Sequence, residues 1–168
     1  MSDCCSTADG ANSGVCPACG AKARPVATLT VKSLVRDHVR VSAAAAFSFC
    51  RTPDCEIVYF SGTIVFLKSD VKVRVGIKEC EDPSPVCYCF DYTRADIHRE
   101  IEQFGKSRIP EKIKAEVQAG FCACEVKNPS GKCCLGNVLQ MIQERMAAIH
   151  EGSAPGCSRT REVRVYQG

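Results

Sequence analysis

The chain has 168 residues, a formal net charge of +3 and well-mixed charged side chains. It has room for one ordinary domain or two small ones, and it offers no strong electrostatic footprint for nucleic acid or membrane. Fourteen residues are cysteine and none is tryptophan, an enrichment that means either a disulfide framework or metal ligation. The start, Met1-Ser2-Asp3-Cys4-Cys5, has no basic flank and no apolar stretch of signal-peptide length. No segment approaches the roughly 18–20 apolar residues that span a bilayer. The expectation is a cytoplasmic, monomeric protein whose reduced thiols bind metal.

Residues 1–15 are small and polar and read as a disordered lead-in. Residues 16–80 read as a zinc-binding β domain. Ala27, Leu29 and Val31 alternate with polar neighbours, as do Val71, Val73, Val75 and Ile77, the pattern of half-buried strands. Between them, Ile57-Val58-Tyr59-Phe60 and Ile64-Val65-Phe66-Leu67 flank a Ser61-Gly62 turn, which predicts a hairpin in a small antiparallel sheet. The run Glu81-Asp82-Pro83-Ser84-Pro85 is a stiff connector, after which the period becomes helical.

Residues 81–150 read as a second, helical domain, so the expected fold class is α+β. Thr93 and Asp96 resemble a capping box, followed by Ile97, Ile101 and Phe104 at helical spacing up to Gly105. Pro110 begins a second helix carrying Ile113 and Val117 and ended by Gly120. Leu135, Val138, Leu139, Ile142, Met146 and Ile149 mark a final amphipathic helix. Residues 151–168 read as a flexible tail. Three helices this short enclose a thin core, and a metal crosslink would supply what that core lacks.

Two cysteine pairs lie in the first half. Cys16-Pro17-Ala18-Cys19-Gly20 has the form of a knuckle, with glycine letting the backbone turn under a metal, and Cys50-Arg51-Thr52-Pro53-Asp54-Cys55 is a second pair in a turn between strands. Four thiolates at tetrahedral geometry make a closed structural zinc site, so Cys16, Cys19, Cys50 and Cys55 are the expected zinc ligands. The gap between the pairs is longer than in the usual zinc ribbon because it contains the strand material of a hairpin. Asp54 and His38 are possible substitute ligands; a lone histidine is more often a surface or satisfied residue.

The second half carries Cys87-Tyr88-Cys89, then Cys122-Ala123-Cys124 and Cys133-Cys134. In an extended stretch residues i and i+2 point the same way, so Cys87 and Cys89 can grip one metal atom. Cysteines at helix starts suit an anionic cluster, because helix N-termini offer free N–H groups and a positive dipole end. On spacing alone, which follows neither common ferredoxin pattern, a second zinc site and an iron–sulfur cluster are both open.

Cys87-Tyr88-Cys89-Phe90, the helix 93–105 and the run Cys124-Glu125-Val126-Lys127-Asn128-Pro129-Ser130-Gly131-Lys132-Cys133-Cys134-Leu135-Gly136 resemble the N-terminal module of CopZ-type copper chaperones. The helical half is also similar to bacterioferritin-associated ferredoxin. The resemblance covers roughly residues 16–142, including both cysteine pairs of the first half. It implies a zinc domain fused to a 2Fe–2S domain, with Cys87 and Cys89 matching the first two cluster ligands and Cys124 and Cys134 the other two. Cys122 and Cys133 lie beside them and could replace Cys124 or Cys134 as ligands; the expectation is that they are buried or neighbouring thiols near the cluster. The Met-x-Cys-x-x-Cys copper loop that such chaperones carry in a further domain has no counterpart in this sequence, which leaves a stand-alone relative served by a separate copper protein, or one that serves another metal.

The function implied is electron transfer or copper handling as a metallochaperone-like, non-enzymatic protein, with an electron donor or copper-handling protein as partner. The cluster would keep a soft metal in its thiol-preferring reduced state. Soft metal ions are also candidate ligands of Cys4, Cys5 and Cys157. The alternative is a redox or metal sensor whose partner docking depends on cluster state. A nucleic-acid-binding role is opposed by the mild charge, and His38, His98 and His150 show no nucleophile arrangement.

Overall fold

A computed structural model describes residues 14–37, 40–42 and 45–152. The lead-in up to residue 13, most of the tail, and His38, Cys4, Cys5 and Cys157 lie outside the described residues. The architecture is α+β: a four-stranded antiparallel sheet with one helix, followed by a two-stranded ribbon and four further helices.

Strands β1 (Arg24–Val26), β2 (Phe47–Phe49), β3 (Ile57–Ser61) and β4 (Ile64–Leu67) lie side by side in chain order, each antiparallel to the next. The β3–β4 hairpin is the expected one, and Gly62 takes a φ of +56° in its turn, where a side chain would be strained. Phe47 stacks on Phe66 with ring centroids 5.7 Å apart, and Phe49 meets Tyr59 at 5.8 Å. These rings, with Val58, Val71 and Val75, form the first core.

The segment expected as a strand at 27–31 is instead helix α1 (Thr28–Leu34). Val31 and Leu34 carry its buried side and Leu29 faces solvent. The alternation of Ala27, Leu29 and Val31 coexists with a Val31–Leu34–Val35 spacing that fits a helix, and packing decided between the two periods. The alternating valines at 71–77 are not a strand either. Val71 makes one antiparallel bridge with Val35, and Lys72 N–H donates to the Leu34 carbonyl at 2.7 Å. The chain then turns at Gly76 into a 3-10 turn, Gly76–Lys78. Inward burial of Val71 and Val75 follows the alternation, but no neighbouring strand continues the ladder.

Beyond the prolines, β5 (Pro85–Cys87) and β6 (Tyr92–Thr93) form a short ribbon that feeds helix α2 (Arg94–Phe104). The Thr93 hydroxyl accepts from Asp96 N–H and the Asp96 carboxylate accepts from Thr93 N–H at 2.9 Å, the expected capping box. Gly105, at φ +69°, ends the helix. Helix α3 (Ile109–Gln118) starts with Pro110 in its first turn, α4 (Cys124–Lys127) is a single turn not expected from periodicity, and α5 (Leu135–His150) is the long closing helix. Ile97, Ile101, Ile109, Ile113 and Val138 meet Val86, Cys87 and Cys134 in a second core. Two cysteines therefore sit at its centre.

The halves are joined by polar anchors. The fully buried Tyr59 of β3 donates its hydroxyl hydrogen to the Pro129 carbonyl at 2.8 Å, and α1 packs against α4. Among the described residues no helix is long and apolar enough to cross a membrane.

Candidate metal centres

Cys16 and Cys19 are presented by a tight turn. Cys16 N–H donates to the Ala21 carbonyl and Gly20 N–H to the Cys16 carbonyl, both at 2.9 Å, with Gly20 at φ +69°. The second pair is held by the end of the β2–β3 ladder: Cys50 N–H donates to Val58 at 2.9 Å, and Cys55 N–H closes the loop onto Thr52 at 3.3 Å. The four sulfurs all lie within 4.8 Å of one another. The Cys16–Cys55 edge is 3.8 Å and the Cys19–Cys50 edge 3.7 Å. Four thiolates at about 2.3 Å from one metal in tetrahedral geometry must be separated by about 3.8 Å. The donor set fits a zinc ion in both chemistry and size.

The thiols are electrically unequal. Burial pushes Cys19 up, but hydrogen bonding with the Thr52 hydroxyl, with backbone and with its neighbouring thiols outweighs it and brings it down to about 7. Burial pushes Cys16 and Cys55 up. A tetrathiolate zinc site is doubly anionic, and Lys78, only 3% exposed, stands beside it. Its ammonium donates to the Thr52 carbonyl at 2.8 Å and the Cys55 carbonyl at 2.9 Å. Burial pulls its pKa down while the four cysteines pull it up, so the buried cation and the thiolate set offset each other's desolvation. Lys78 is a site residue the sequence reading missed, hidden in a segment expected as an ordinary strand.

In the second half Cys87 ends β5, Cys89 lies in the turn after it, Cys124 opens α4 and Cys134 caps α5. The Cys89 and Cys124 sulfurs are 3.6 Å apart, and Cys87 and Cys134 share the second buried core. The interaction with the Cys134 thiol brings Cys87 down to about 7 against its burial, and the same interaction together with burial pushes Cys134 up. Of the four expected cluster cysteines, Cys89 meets Cys124 of the other segment directly. Among the described residues these four sulfurs do not meet within one 4.8 Å sphere of contacts as the first four do. Cys89 also accepts from Ala123 N–H at 3.3 Å, and the Phe90 and Cys89 backbone helps to lower Cys87; both effects favour thiolates.

The Asn128–Lys132 loop places Cys134. The Asn128 amide donates to the Lys132 carbonyl at 2.8 Å and accepts from Ser130 N–H and its hydroxyl at 3.0 Å each. Gly131, at φ +66°, lies so close to the Thr30 hydroxyl that a side chain would crowd it. Of the two neighbouring cysteines, Cys133 is exposed rather than buried beside a cluster, because Cys134 takes the inward position of the α5 cap. Cys122 is disulfide-bonded, as is Cys80.

A cavity of about 670 Å³ opens between the halves beside Val86 and Tyr88. Arg24, Arg51, Arg94, Lys132 and Arg145 line it against Asp82 and Glu144, so its wall is net cationic.

Residues 13–72 match the zinc-binding domain family of CopZ proteins. The copper chaperone CopZ of Archaeoglobus fulgidus is 40% identical over 119 residues, which is 71% of this chain and 57% of that protein. The chain thus spans somewhat over half the length of that curated relative. The X-ray structure of the Archaeoglobus fulgidus CopZ N-terminal domain is 37% identical, with a TM-score of 0.63 over 76% of this chain and 97% of that domain. The chain therefore belongs to the family of the CopZ N-terminal domain and carries its zinc-binding part.

Proposed function

We propose that this protein is a two-centre metallochaperone module, with a structural zinc on Cys16, Cys19, Cys50 and Cys55 in a domain over 16–80, and a 2Fe–2S cluster on Cys87, Cys89, Cys124 and Cys134 in a domain over 81–150. Its task is to deliver single electrons that keep a soft metal such as copper in the reduced, thiol-preferring state during handling. The observation that supports the cluster is the convergence of two distant segments, with the Cys89 and Cys124 sulfurs 3.6 Å apart and Cys87 and Cys134 together in the second core. One mononuclear ion needs all four sulfurs around a single point, as the first site has them. A binuclear centre needs two thiolates for each metal atom, so four converging thiolates that do not all meet at one point suit it.

When bound, the cluster supplies one-electron exchange. Cys134 at the start of α5 would hold it where a helix N-terminus favours an anionic centre, and Cys87 and Cys134 lie among the Ile97, Ile113 and Val138 side chains, which would exclude water. The cationic cavity beside Tyr88 suits the approach of an acidic electron-donor protein. Copper handling rests on the likeness to a copper chaperone, and copper is here the cargo.

The test is to reduce the anaerobically purified protein, mix it with about one equivalent of Cu(II), and follow Cu(I) with an indicator dye. Oxidation of the cluster with about one Cu(I) formed per cluster supports the reading. Cys124→Ser should lose the visible colour while Cys133→Ser keeps it. A colourless wild type, or a reduced cluster inert towards Cu(II), contradicts the proposal.

A further inference from the structure

We propose that Lys78 and Tyr88 are positioning residues through which occupancy of the four-cysteine zinc site sets how firmly the cluster is held; the inference rests on the two-centre reading above. The connection can be followed bond by bond. Lys78 is nailed to the Cys50–Cys55 loop by its two hydrogen bonds, 2.8 Å to the Thr52 carbonyl and 2.9 Å to the Cys55 carbonyl. It is the last residue of the 3-10 turn that begins at Gly76. At the other end of that turn, Gly76 N–H donates to the Tyr88 hydroxyl at 2.8 Å, and the same hydroxyl donates to the Arg74 carbonyl at 3.0 Å. Tyr88 lies between Cys87 and Cys89.

The turn has no slack to absorb movement. The Ser84 hydroxyl donates to the Gly76 carbonyl at 3.1 Å, and the Pro85 carbonyl lies where any Cβ at position 76 would stand. A shift at Lys78 is therefore passed to the strand that ends in Cys87. Zinc supplies the force. With the metal bound, its four bonds fix the 50–55 loop and present the two carbonyls that satisfy a buried ammonium. With zinc gone the thiolate crosslink is lost and the loop opens. Lys78 then keeps neither its acceptors nor the negative charge that offsets its burial, and it must move toward water. Two positions that would otherwise look like an ordinary strand lysine and a spacer tyrosine become the link between the centres.

The experiment uses the full, metal-loaded chain and follows loss of visible absorbance in a fixed low concentration of oxygen, with zinc content measured in parallel. In the wild type, stripping zinc with a chelator should speed colour loss about fivefold, roughly the weight of one buried hydrogen bond, and added zinc should restore the slow rate. Tyr88→Phe keeps the ring and removes only the hydroxyl. It should lose colour at the fast rate with zinc still bound, and chelation should then add little. A coloured wild type whose colour loss is the same with and without zinc overturns the link and leaves the two-centre reading intact. So does a Tyr88→Phe protein that behaves as the wild type. A preparation with no iron or sulfide overturns the two-centre reading and the link together. A Lys78→Met protein that will not fold does not weaken the test, because the tyrosine variant reads the same connection from the other end.

Discussion

Tyr59→Phe removes one hydroxyl and leaves the aromatic packing with Phe49 in place. The hydroxyl donates to the Pro129 carbonyl at 2.8 Å, and both residues are fully buried, so no water replaces it. The loss is then a buried hydrogen bond together with a desolvated acceptor, about 1–3 kcal/mol. For a chain of this size each kcal/mol moves the melting temperature by roughly 2–4 °C, so a mid-range loss of about 2 kcal/mol predicts a fall of about 4–8 °C. Calorimetry on the metal-loaded protein measures it. Because Pro129 lies in the loop that seats Cys134, hydrogen exchange should rise in residues 128–134 more than within the β3–β4 hairpin. A melting temperature within about 1 °C of wild type would refute the claim that this single bond ties the sheet to the cluster loop.

Glu100 binds Lys112 at 2.7 Å, Arg108 N–H at 2.7 Å and the Ser107 hydroxyl at 2.9 Å. Burial pushes its carboxyl up, but these partners hold it below its ordinary range, and the Thr93 hydrogen bonds do the same for Asp96. The folded state thus binds fewer protons than the unfolded one, so this stability is complete above about pH 4.5 and disappears as the pH falls further. Glu100→Gln should cost about 1 kcal/mol at pH 7, with the difference from wild type shrinking toward pH 3 in denaturant titrations; a difference that grows instead contradicts the assignment. Gly76→Ala should be strongly destabilising, because its new methyl meets the Pro85 carbonyl; a melting curve like wild type would show that the turn has room. In the metal-loaded protein, brief alkylation read by mass spectrometry should mark exposed Cys133 well ahead of Cys16, Cys50, Cys55, Cys87 and Cys134.

Elements that carry their own stop and start signals were legible in the sequence. Thr93 and Asp96 announce α2, Gly105 ends it, and Pro110 opens α3, because caps act within a few residues. The β3–β4 hairpin was legible for the same reason. The segments at 28–34 and 71–78 were not. Val31 and Leu34 satisfy either period, and the choice rests on packing against α4, which is distant in sequence. Val71 to Ile77 alternate faithfully but, among the described residues, pair only through the single Val71–Val35 bridge, and the close approach of Pro85 accompanies the turn at Gly76. The first metal site was legible because paired cysteines state their own geometry. The meeting of the Cys87–Cys89 turn with Cys124 and Cys134 was not, since it depends on how the loop over 128–132 folds back. Lys78 was invisible for a different reason. Nothing local distinguishes a lysine destined for a thiolate site from one on a solvated edge.

An anaerobic preparation assayed for zinc, iron and acid-labile sulfide alongside its visible spectrum addresses both centres at once. About one zinc, two irons and two sulfides per chain, with a coloured protein, is the expected result. A colourless protein holding about two zinc ions and no sulfide would contradict the second centre, however well the first is filled.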